Sequence, residues 1–489
     1  MIARVGISAW LGLALAALFF YPLVVFLDTE TYYLQWQQRD VTETFLAIAI
    51  LGLIASAAIF ALWPRTSRAA SAGLLAVAVF PVTSFVAGAL RQLPFDDALR
   101  EAWENPALSL SVPGIVAALF LIALWRWPEA FNRRLRSALI VISPIALVVI
   151  LGLARSSGGV PAVTSVDRPS PVAAAARMCA PVLTFLFDEL SFTYLYEDGT
   201  VRPEFPEIGR FASTATNHLA VSAAGGETLL AVPAMLVARP LRGVRVAPDG
   251  LYELTEEGSL QPFNAREPDG LFATARGLGY RTEMAGYYLP YCYLLGDLVD
   301  ACRSMSFYNV ATTNDRFSIL DPIRTTMVLW PRQFPFGVFK NPFFTRFQRD
   351  LVARTIEFVQ RPVGTAPPVF RLLHFSIPHL PFVFGPDGFD PPLDPLRTSP
   401  DTGYVAQLAY VDRLVGEAVA RLRESGAYDG ATVVLMSDHG WRFGGNEQDP
   451  QHVPFIVKRP GQRTREDVTT PERGELLLKQ VLQQSCPAV

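Results

Sequence analysis

Five stretches near the start of the chain run without a charged residue: Ile7–Leu27, Phe45–Trp63, Ala70–Leu90, Leu108–Trp125 and Ser137–Leu153. Each approaches the ~20 apolar residues that a helix needs to cross a hydrocarbon core about 30 Å thick. The pattern predicts a transmembrane domain of five helices over residues 1–154. The last two stretches are slightly short, which helix tilt absorbs. The first is too long for the apolar part of a cleaved leader, and Tyr21-Pro22 is a poor cleavage site, so it reads as a retained helix. Residues 155–178, rich in Gly, Pro, Ser and Ala, read as a linker whose alanine-rich end suits a short interfacial helix.

From Cys179 the pattern changes. VLTFLF (Val182–Phe187), FRLLHFS (Phe370–Ser376) and ATVVLMS (Ala431–Ser437) are short apolar runs that end on polar or acidic residues. Between the last two, Tyr404–Ser425 carries Val405, Leu408, Val411, Leu414, Val415 and Val419 at helical spacing. Strands alternating with helices predict an α/β domain over 179–489 with a mostly parallel central sheet, and such sheets place their sites at the carboxyl ends of the strands.

Charge orients the helices. Arg65 and Arg68 follow the second stretch, and Arg126, Arg133, Arg134 and Arg136 follow the fourth. The segments after the first and third are dominated by acids, among them Asp28, Glu30, Asp96 and Glu101. By the positive-inside rule the N-terminus is cytoplasmic and five crossings leave the α/β domain outside; Trp36 and Trp103 on the outer loops fit an interfacial belt. Hydrophobic residues make up 51% and charged residues 18%, which excludes an ordinary soluble enzyme, and a net charge of −3 gives no basic excess for nucleic acid. In an oxidising compartment Cys292 and Cys302 suit a local disulfide, whereas spacing leaves the pairing of Cys179 with Cys486 open.

The chain has five histidines, and one of them, His439, follows Asp438 directly after an apolar strand in VVLMSDHGW. A carboxylate and an imidazole at a strand end suit a divalent metal, although SDHG also reads as an ordinary strand-to-loop turn. FLFDELSF offers Asp188 and Glu189 at a second strand end, as metal ligands or as solvated helix-capping acids. In GGETLLAVPAML, Thr228 stands at a predicted helix start, either as an N-cap or as a nucleophile activated by metal. His374 reads as the end of a core strand, and His218 as exposed or satisfied within the core.

Together these segments resemble the alkaline phosphatase/sulfatase superfamily, in which a metal-bound Ser, Thr or formylglycine attacks a phosphate or sulfate ester. The likeness runs from about Val182 to Gly461 and includes HFSIPHLPF and QHVPFIVKRPG. Behind five membrane helices, such a domain looks like lipid A phosphoethanolamine transferases and lipoteichoic acid synthases. The resemblance implies an alkaline phosphatase-like fold. It also implies Thr228 as nucleophile, five residues before Pro233, and Asp188, Asp438, His439 and Thr228 as ligands of one metal. Glu189 would be an extra ligand, and His379 and His452 would bind substrate phosphate or a second zinc. The formylglycine motif is missing around Thr228, as are the Cys-Gly-Thr segment and first-ligand glutamate of the phosphoethanolamine transferases.

The expected enzyme is a zinc-dependent, or manganese-, calcium- or magnesium-dependent, sulfatase-like phosphotransferase. It would move a phosphoethanolamine- or phosphoglycerol-type headgroup from a membrane phospholipid to an envelope lipid or glycan through phospho-threonine. It would sit in a bacterial inner (plasma) membrane with its catalytic domain outside. The alternatives are a membrane-anchored phosphatase or phosphodiesterase, and a non-catalytic lipid-binding regulator with the same fold.

Overall fold

The computed structural model describes residues 2–27, 38–63, 67–91, 115, 118–155, 165–168, 179–247, 250–305, 317–333, 342–363, 367–389, 400–442 and 451–486. It forms two compact units, Met1–Val160 with Ala311–Phe343, and Pro161–Val310 with Phe344–Val489.

In the first unit the expected first crossing is a pair of helices, Ile2–Phe19 and Tyr21–Leu27, broken just before Pro22. The second and third are Gln38–Leu62 and Arg68–Arg91, and the fifth is split into Pro128–Ile142 and Ile145–Arg155 around Pro144. Of the fourth, only residue 115 and residues 118–125 are described, while Trp36, Trp103 and the alanine-rich end of the linker lie outside the described residues. Among the described residues, three helices are long and apolar enough to cross a membrane: Ile2–Phe19, Arg39–Leu62 and Pro128–Arg155. Glycine brings two of these helices into backbone contact, because a Cβ on Gly12 would lie 2.6 Å from the Gly52 carbonyl oxygen. Asn132 Nδ2 donates to Ser71 Oγ at 2.8 Å, a buried hydrogen bond inside the bundle.

The expected uninterrupted 179–489 domain is modified in two places. Ser165–Asp167, inside the expected linker, pairs as an edge strand with Ala301–Met305. The Leu320–Gln333 helix leaves the α/β unit and packs on the Tyr21–Leu27, Gln38–Leu62 and Arg68–Arg91 helices. Its N-terminal approach is held where Ser318 N donates to Glu43 Oε1 at 2.8 Å. An apolar cavity of about 400 Å³ lies beside it, lined by Leu15, Phe19, Leu51, Ile54, Phe80 and Met327 among others.

The second unit is built on a sheet with ten strands among the described residues. They are β1 Ser165–Asp167, β2 Val182–Asp188, β3 Thr216–Ser222, β4 Arg281–Tyr287, β5 Ala301–Met305, β6 Val369–Pro378, β7 Thr432–Ser437, β8 His452–Lys458, β9 Glu466–Val468 and β10 Glu472–Arg473. The order is β1-β5-β4-β6-β2-β7-β8-β3-β9, with β10 also on β3. The run β5-β4-β6-β2-β7 is parallel, β8 is antiparallel to both β7 and β3, and β1 is an antiparallel edge.

Every residue of β2, β6 and β7 is buried, which explains their continuous apolar runs: helices cover both faces of the sheet, so alternation has no purpose. Phe187 and Phe375 stack at 5.2 Å on one face, where Leu408, Val411 and Leu414 of the Pro400–Glu424 helix join the same core. On the other face Phe272 of the Leu271–Gly277 helix meets Phe370 at 5.2 Å, and the Thr228–Val237 and Gly474–Gln484 helices pack beside it. Disulfides join Cys179 to Cys486 and Cys292 to Cys302.

Candidate metal centre

The register between β2 and β7 pairs Phe187 with Ser437, so the two chains turn off the sheet side by side and carry Asp188 and Asp438 together. Asp438 Oδ1 is fixed by backbone donors, His439 N at 2.8 Å and Glu189 N at 3.2 Å. Ser437 Oγ accepts from Leu190 N at 2.8 Å and clasps the two turns. Because β3 runs in the same sense as β2, its end delivers the 223–227 turn and Thr228 to this edge. A Cβ on Gly225 would lie 2.6 Å from Leu230 Cδ2, so a larger residue there would push the Leu230 side chain aside.

Glu227 holds the N-cap position and Thr228 is the first helical residue, which removes the N-cap reading of Thr228. Its hydroxyl points inward instead. Oγ1 donates to Asp438 Oδ2 at 2.8 Å, lies 3.4 Å from Asp188 Oδ1 and is 3.3 Å from His439 Nε2. His439 Nδ1 lies 2.8 Å from the Gly440 carbonyl, which can only accept; that bond leaves the Nε2 lone pair facing the two carboxylates at 3.6 Å each.

Asp188, Asp438 and His439 each offer a ligand atom within 4.8 Å of the others, and all three are buried. Among the described residues no Lys or Arg lies within salt-bridge distance of either aspartate. Burial, with Asp438 and Glu189 beside it, pushes the Asp188 carboxyl well above the usual carboxylate range. For Asp438 burial also pushes upward, but His439, His374 and the hydrogen bonds from Thr228 and Glu189 outweigh it and hold it low. Two buried carboxylates with no lysine or arginine paired to them are costly unless a cation joins them. One imidazole nitrogen, two carboxylates and a hydroxyl suit a small divalent ion.

Of the other predicted residues, Glu189 and His379 adjoin this centre through backbone hydrogen bonds to Asp438 and Asp188. Glu189 is fully buried at φ +67°, in a turn fixed by Tyr404, whose hydroxyl donates to the Glu189 carbonyl at 2.6 Å and accepts from Ser191 N at 2.9 Å. Its Oε1 accepts from Arg442 Nε at 2.8 Å, outside the three-residue cluster. His379 is half-buried, with its N donating to the Asp188 carbonyl at 3.1 Å, and burial lowers its pKa. His452 opens β8 opposite Ser222, its ring stacked on Phe192 at 3.9 Å and its Nε2 donating to the Leu219 carbonyl at 2.9 Å. His218 Nδ1 meets Glu472 Oε2 at 2.5 Å, while its buried Nε2 has no hydrogen-bond partner among the described residues.

Three neighbours of the centre have no local signal in the sequence. Arg442 follows the ligand pair by three residues and differs little from any loop arginine until Glu189 meets it. Tyr291 is distant in the chain. His374 lies in the middle of β6 and is wholly buried, and burial lowers its pKa to about 4.

The fold and this cluster define an α/β enzyme with a candidate divalent-metal site. A family model, Sulfatase, matches residues 181–475, and the chain belongs to that family and to the alkaline phosphatase/sulfatase superfamily, whose enzymes use divalent metal. It is a sulfatase-like hydrolase enzyme. Solved structures similar to it include a phosphonate monoester hydrolase of Agrobacterium radiobacter, at 16% identity and TM-score 0.41 over 63% of this chain and 73% of that one. Another is a phosphonate monoester hydrolase of Silicibacter pomeroyi, at 14% identity and TM-score 0.41 over 63% and 73%. A third is a sulfatase from Pseudoalteromonas sp., at 15% identity and TM-score 0.41 over 64% and 68%. No curated protein matches the chain.

Proposed function

We propose that this chain is a membrane-anchored transferase that moves a phosphoryl-linked headgroup, of phosphoethanolamine or phosphoglycerol type, from a phospholipid to an envelope lipid or glycan through phospho-threonine. The observation that carries the reading is the Thr228 hydroxyl at a helix N-terminus, 2.8 Å from Asp438 and 3.3 Å from His439. A threonine cannot become formylglycine, so sulfate-ester cleavage by that route is excluded at this position, whereas an alkoxide attacking phosphorus fits. The helix N-terminus favours the phosphoryl anion.

In the first step the Thr228 oxygen bonds to phosphorus while the bond from phosphorus to the lipid alcohol breaks. The hydroxyl proton leaves along its hydrogen bond to Asp438, and His379 or His452, protonated once the anionic phosphoryl group is beside it, supplies a proton to the departing alkoxide. In the second step the acceptor hydroxyl attacks phosphorus, gives its proton back to that histidine, and releases Thr228, which recovers its own. A divalent ion held by Asp188, Asp438, His439 and Thr228, zinc or manganese, would lower the pKa of the hydroxyl and neutralise the phosphoryl oxygens. Glu189 anchors Arg442 beside the centre in the described arrangement and is a further ligand only if that ion pair opens.

The apolar helices support a multi-pass anchor in a bacterial inner membrane with residues 1–154 as its core, and the apolar cavity beside Met327 supports an acyl-chain donor. Two disulfides support a catalytic unit outside the cytoplasm. Family membership favours one second reading, in which water replaces the acceptor and the enzyme is a phosphodiesterase.

The test is full-length protein in vesicles of phosphatidylethanolamine or phosphatidylglycerol, with peptide mass spectrometry on Thr228. A mass increment on Thr228 and its loss on adding an acceptor are expected. Thr228→Ala should lower turnover by on the order of 10⁴-fold or more with the fold intact. Wild-type rates in that variant, with metal still bound, would overturn the nucleophile.

A further inference from the structure

Behind the metal centre lies a second line of buried polar groups. Tyr291, the first residue of a short helix over Tyr291–Leu295, is wholly buried, and its hydroxyl is 2.6 Å from His374 Nδ1. On the far side of that ring, His374 Nε2 has no hydrogen-bond partner and faces Asp438 Oδ2 at 3.9 Å. This is the oxygen that accepts from Thr228.

The fold makes room for the pair. His374 on β6 sits opposite Gly286 on β4, and a Cβ on Gly286 would lie 2.8 Å from Tyr291 Cε2 and 2.9 Å from His374 Cβ. Any larger residue would displace both rings. The Cys292–Cys302 disulfide ties the residue after Tyr291 to β5, so the tyrosine is held from two sides.

We propose that Tyr291 and His374 are a positioning pair that sets the orientation of the Asp438 carboxylate. The proposal rests on the metal reading of the Asp188–Asp438–His439 cluster. A singly protonated imidazole has two tautomers, and the bond made at one nitrogen selects which nitrogen carries the proton. With the tyrosine hydroxyl donating to Nδ1, the ring proton sits on Nε2 and points at Asp438 Oδ2. The backbone carbonyl of Tyr287 competes, because it reaches the same ring as an acceptor. Without the Tyr291 hydroxyl the proton would move to Nδ1 for that carbonyl, and an Nε2 lone pair would face the carboxylate. Neither residue touches the reacting atoms; each acts through Asp438. Groups behind a metal ligand that orient it in this way are commonly worth about 10–100-fold in metal affinity.

The experiment is Zn²⁺ and Mn²⁺ affinity by competition with a chromophoric chelator, on the full chain in detergent. It compares wild type with Tyr291→Phe, His374→Leu, His374→Gln and His374→Asn, alongside the thermal midpoint of each metal-free protein. Tyr291→Phe and His374→Leu should weaken metal about 10–100-fold. His374→Gln should recover most of the loss, because its amide nitrogen sits where Nε2 did, and His374→Asn should not, because its amide reaches only the Nδ1 position. Equal affinity in all five proteins would overturn the pair, as would losses in Gln and Asn that track the metal-free midpoint alone. A wild type that binds neither metal would overturn the metal reading itself, and this inference with it.

Discussion

The two edges of the central sheet both bury charge, and they treat it in opposite ways. Near the edge where the parallel strands begin, Arg371 on β6 lies opposite Glu283 on β4 and donates to it at 2.7 Å. Its other nitrogens donate to the Arg361 and Pro362 carbonyls at 3.0 Å, and Arg281 adds a second cation to Glu283 at 3.0 Å. Every charge there has an opposite or a dipole. At the edge where the strands end, Asp188 and Asp438 lie together beside a hydroxyl and an imidazole, with no lysine or arginine at salt-bridge distance among the described residues, since the nearby Arg442 is paired with Glu189. A protein tolerates a buried charge when partners surround it, so the deficit at one edge marks where something from outside belongs. Burial alone does not distinguish the two edges; the sum of charge does.

The sharpest way to break that contrast is to lower the deficit. Asp438→Asn removes one of the two carboxylates and one ligand, and hydrolysis of a chromogenic phosphodiester should fall on the order of 10³-fold or more. The same protein should fold, because the amide still accepts from His439 N and Glu189 N through its carbonyl. Retained metal stoichiometry by elemental analysis, with wild-type turnover, would show that the deficit has no catalytic meaning. Chelation of the wild type should likewise abolish turnover, and added Zn²⁺ or Mn²⁺ should restore it.

At the compensated edge the prediction reverses. Arg371→Met takes the buried partner from Glu283, leaving it Arg281, and strands the 361–362 carbonyls; it should cost about 2–4 kcal/mol in urea unfolding while the folded enzyme keeps its turnover. Replacing both residues, Arg371→Met with Glu283→Leu, should recover much of that loss, since the pair itself is close to neutral against an apolar substitute. A double variant as unstable as the single one would mean that the hydrogen bonds to the 361–362 carbonyls carry the stability.

The difference between the edges was only half visible in the sequence. Strands covered on both faces are written as unbroken apolar runs, so the residue at which the run turns acidic is conspicuous, and Asp188 and Asp438-His439 stand out for that reason. Thr228 is legible as a helix start because of its glycine turn. What the pattern cannot carry is cross-strand pairing. His374 looks like one more core residue of β6 until Tyr291 and Asp438 are placed on either side of it. Glu189 neighbours Asp188 in sequence, yet a left-handed backbone turns it to Arg442. The Leu320–Gln333 helix carries Asp321, Arg324 and Arg332 and reads as part of the α/β domain, although it packs with the apolar helices. Its company is fixed by tertiary contacts, as with the Ser318–Glu43 bond, which no local window contains.

The smallest expected effect comes from a second buried cation of the sheet, Lys458 at the end of β8. Its ammonium donates to the Tyr428 carbonyl at 2.5 Å and the Asp429 carbonyl at 3.2 Å, and lies 4.5 Å from the Tyr428 ring centre. Dipoles rather than a carboxylate compensate it, so it tests whether the contrast between the edges needs formal countercharge. Lys458→Met should cost about 1–3 kcal/mol by leaving buried carbonyls unpaired. Burial lowers the pKa of this lysine to about 8, below its unfolded value of 10.5. Between those values the unfolded chain binds the proton and the folded protein does not, so the contribution of Lys458 to stability rises with pH across that window. Urea unfolding of both proteins at a pH just below 8 and again near 10 should show the wild-type advantage growing at the higher pH. A constant or shrinking advantage would mean that the carbonyls hold the ammonium charged, and that dipoles compensate a buried charge as fully as Glu283 does.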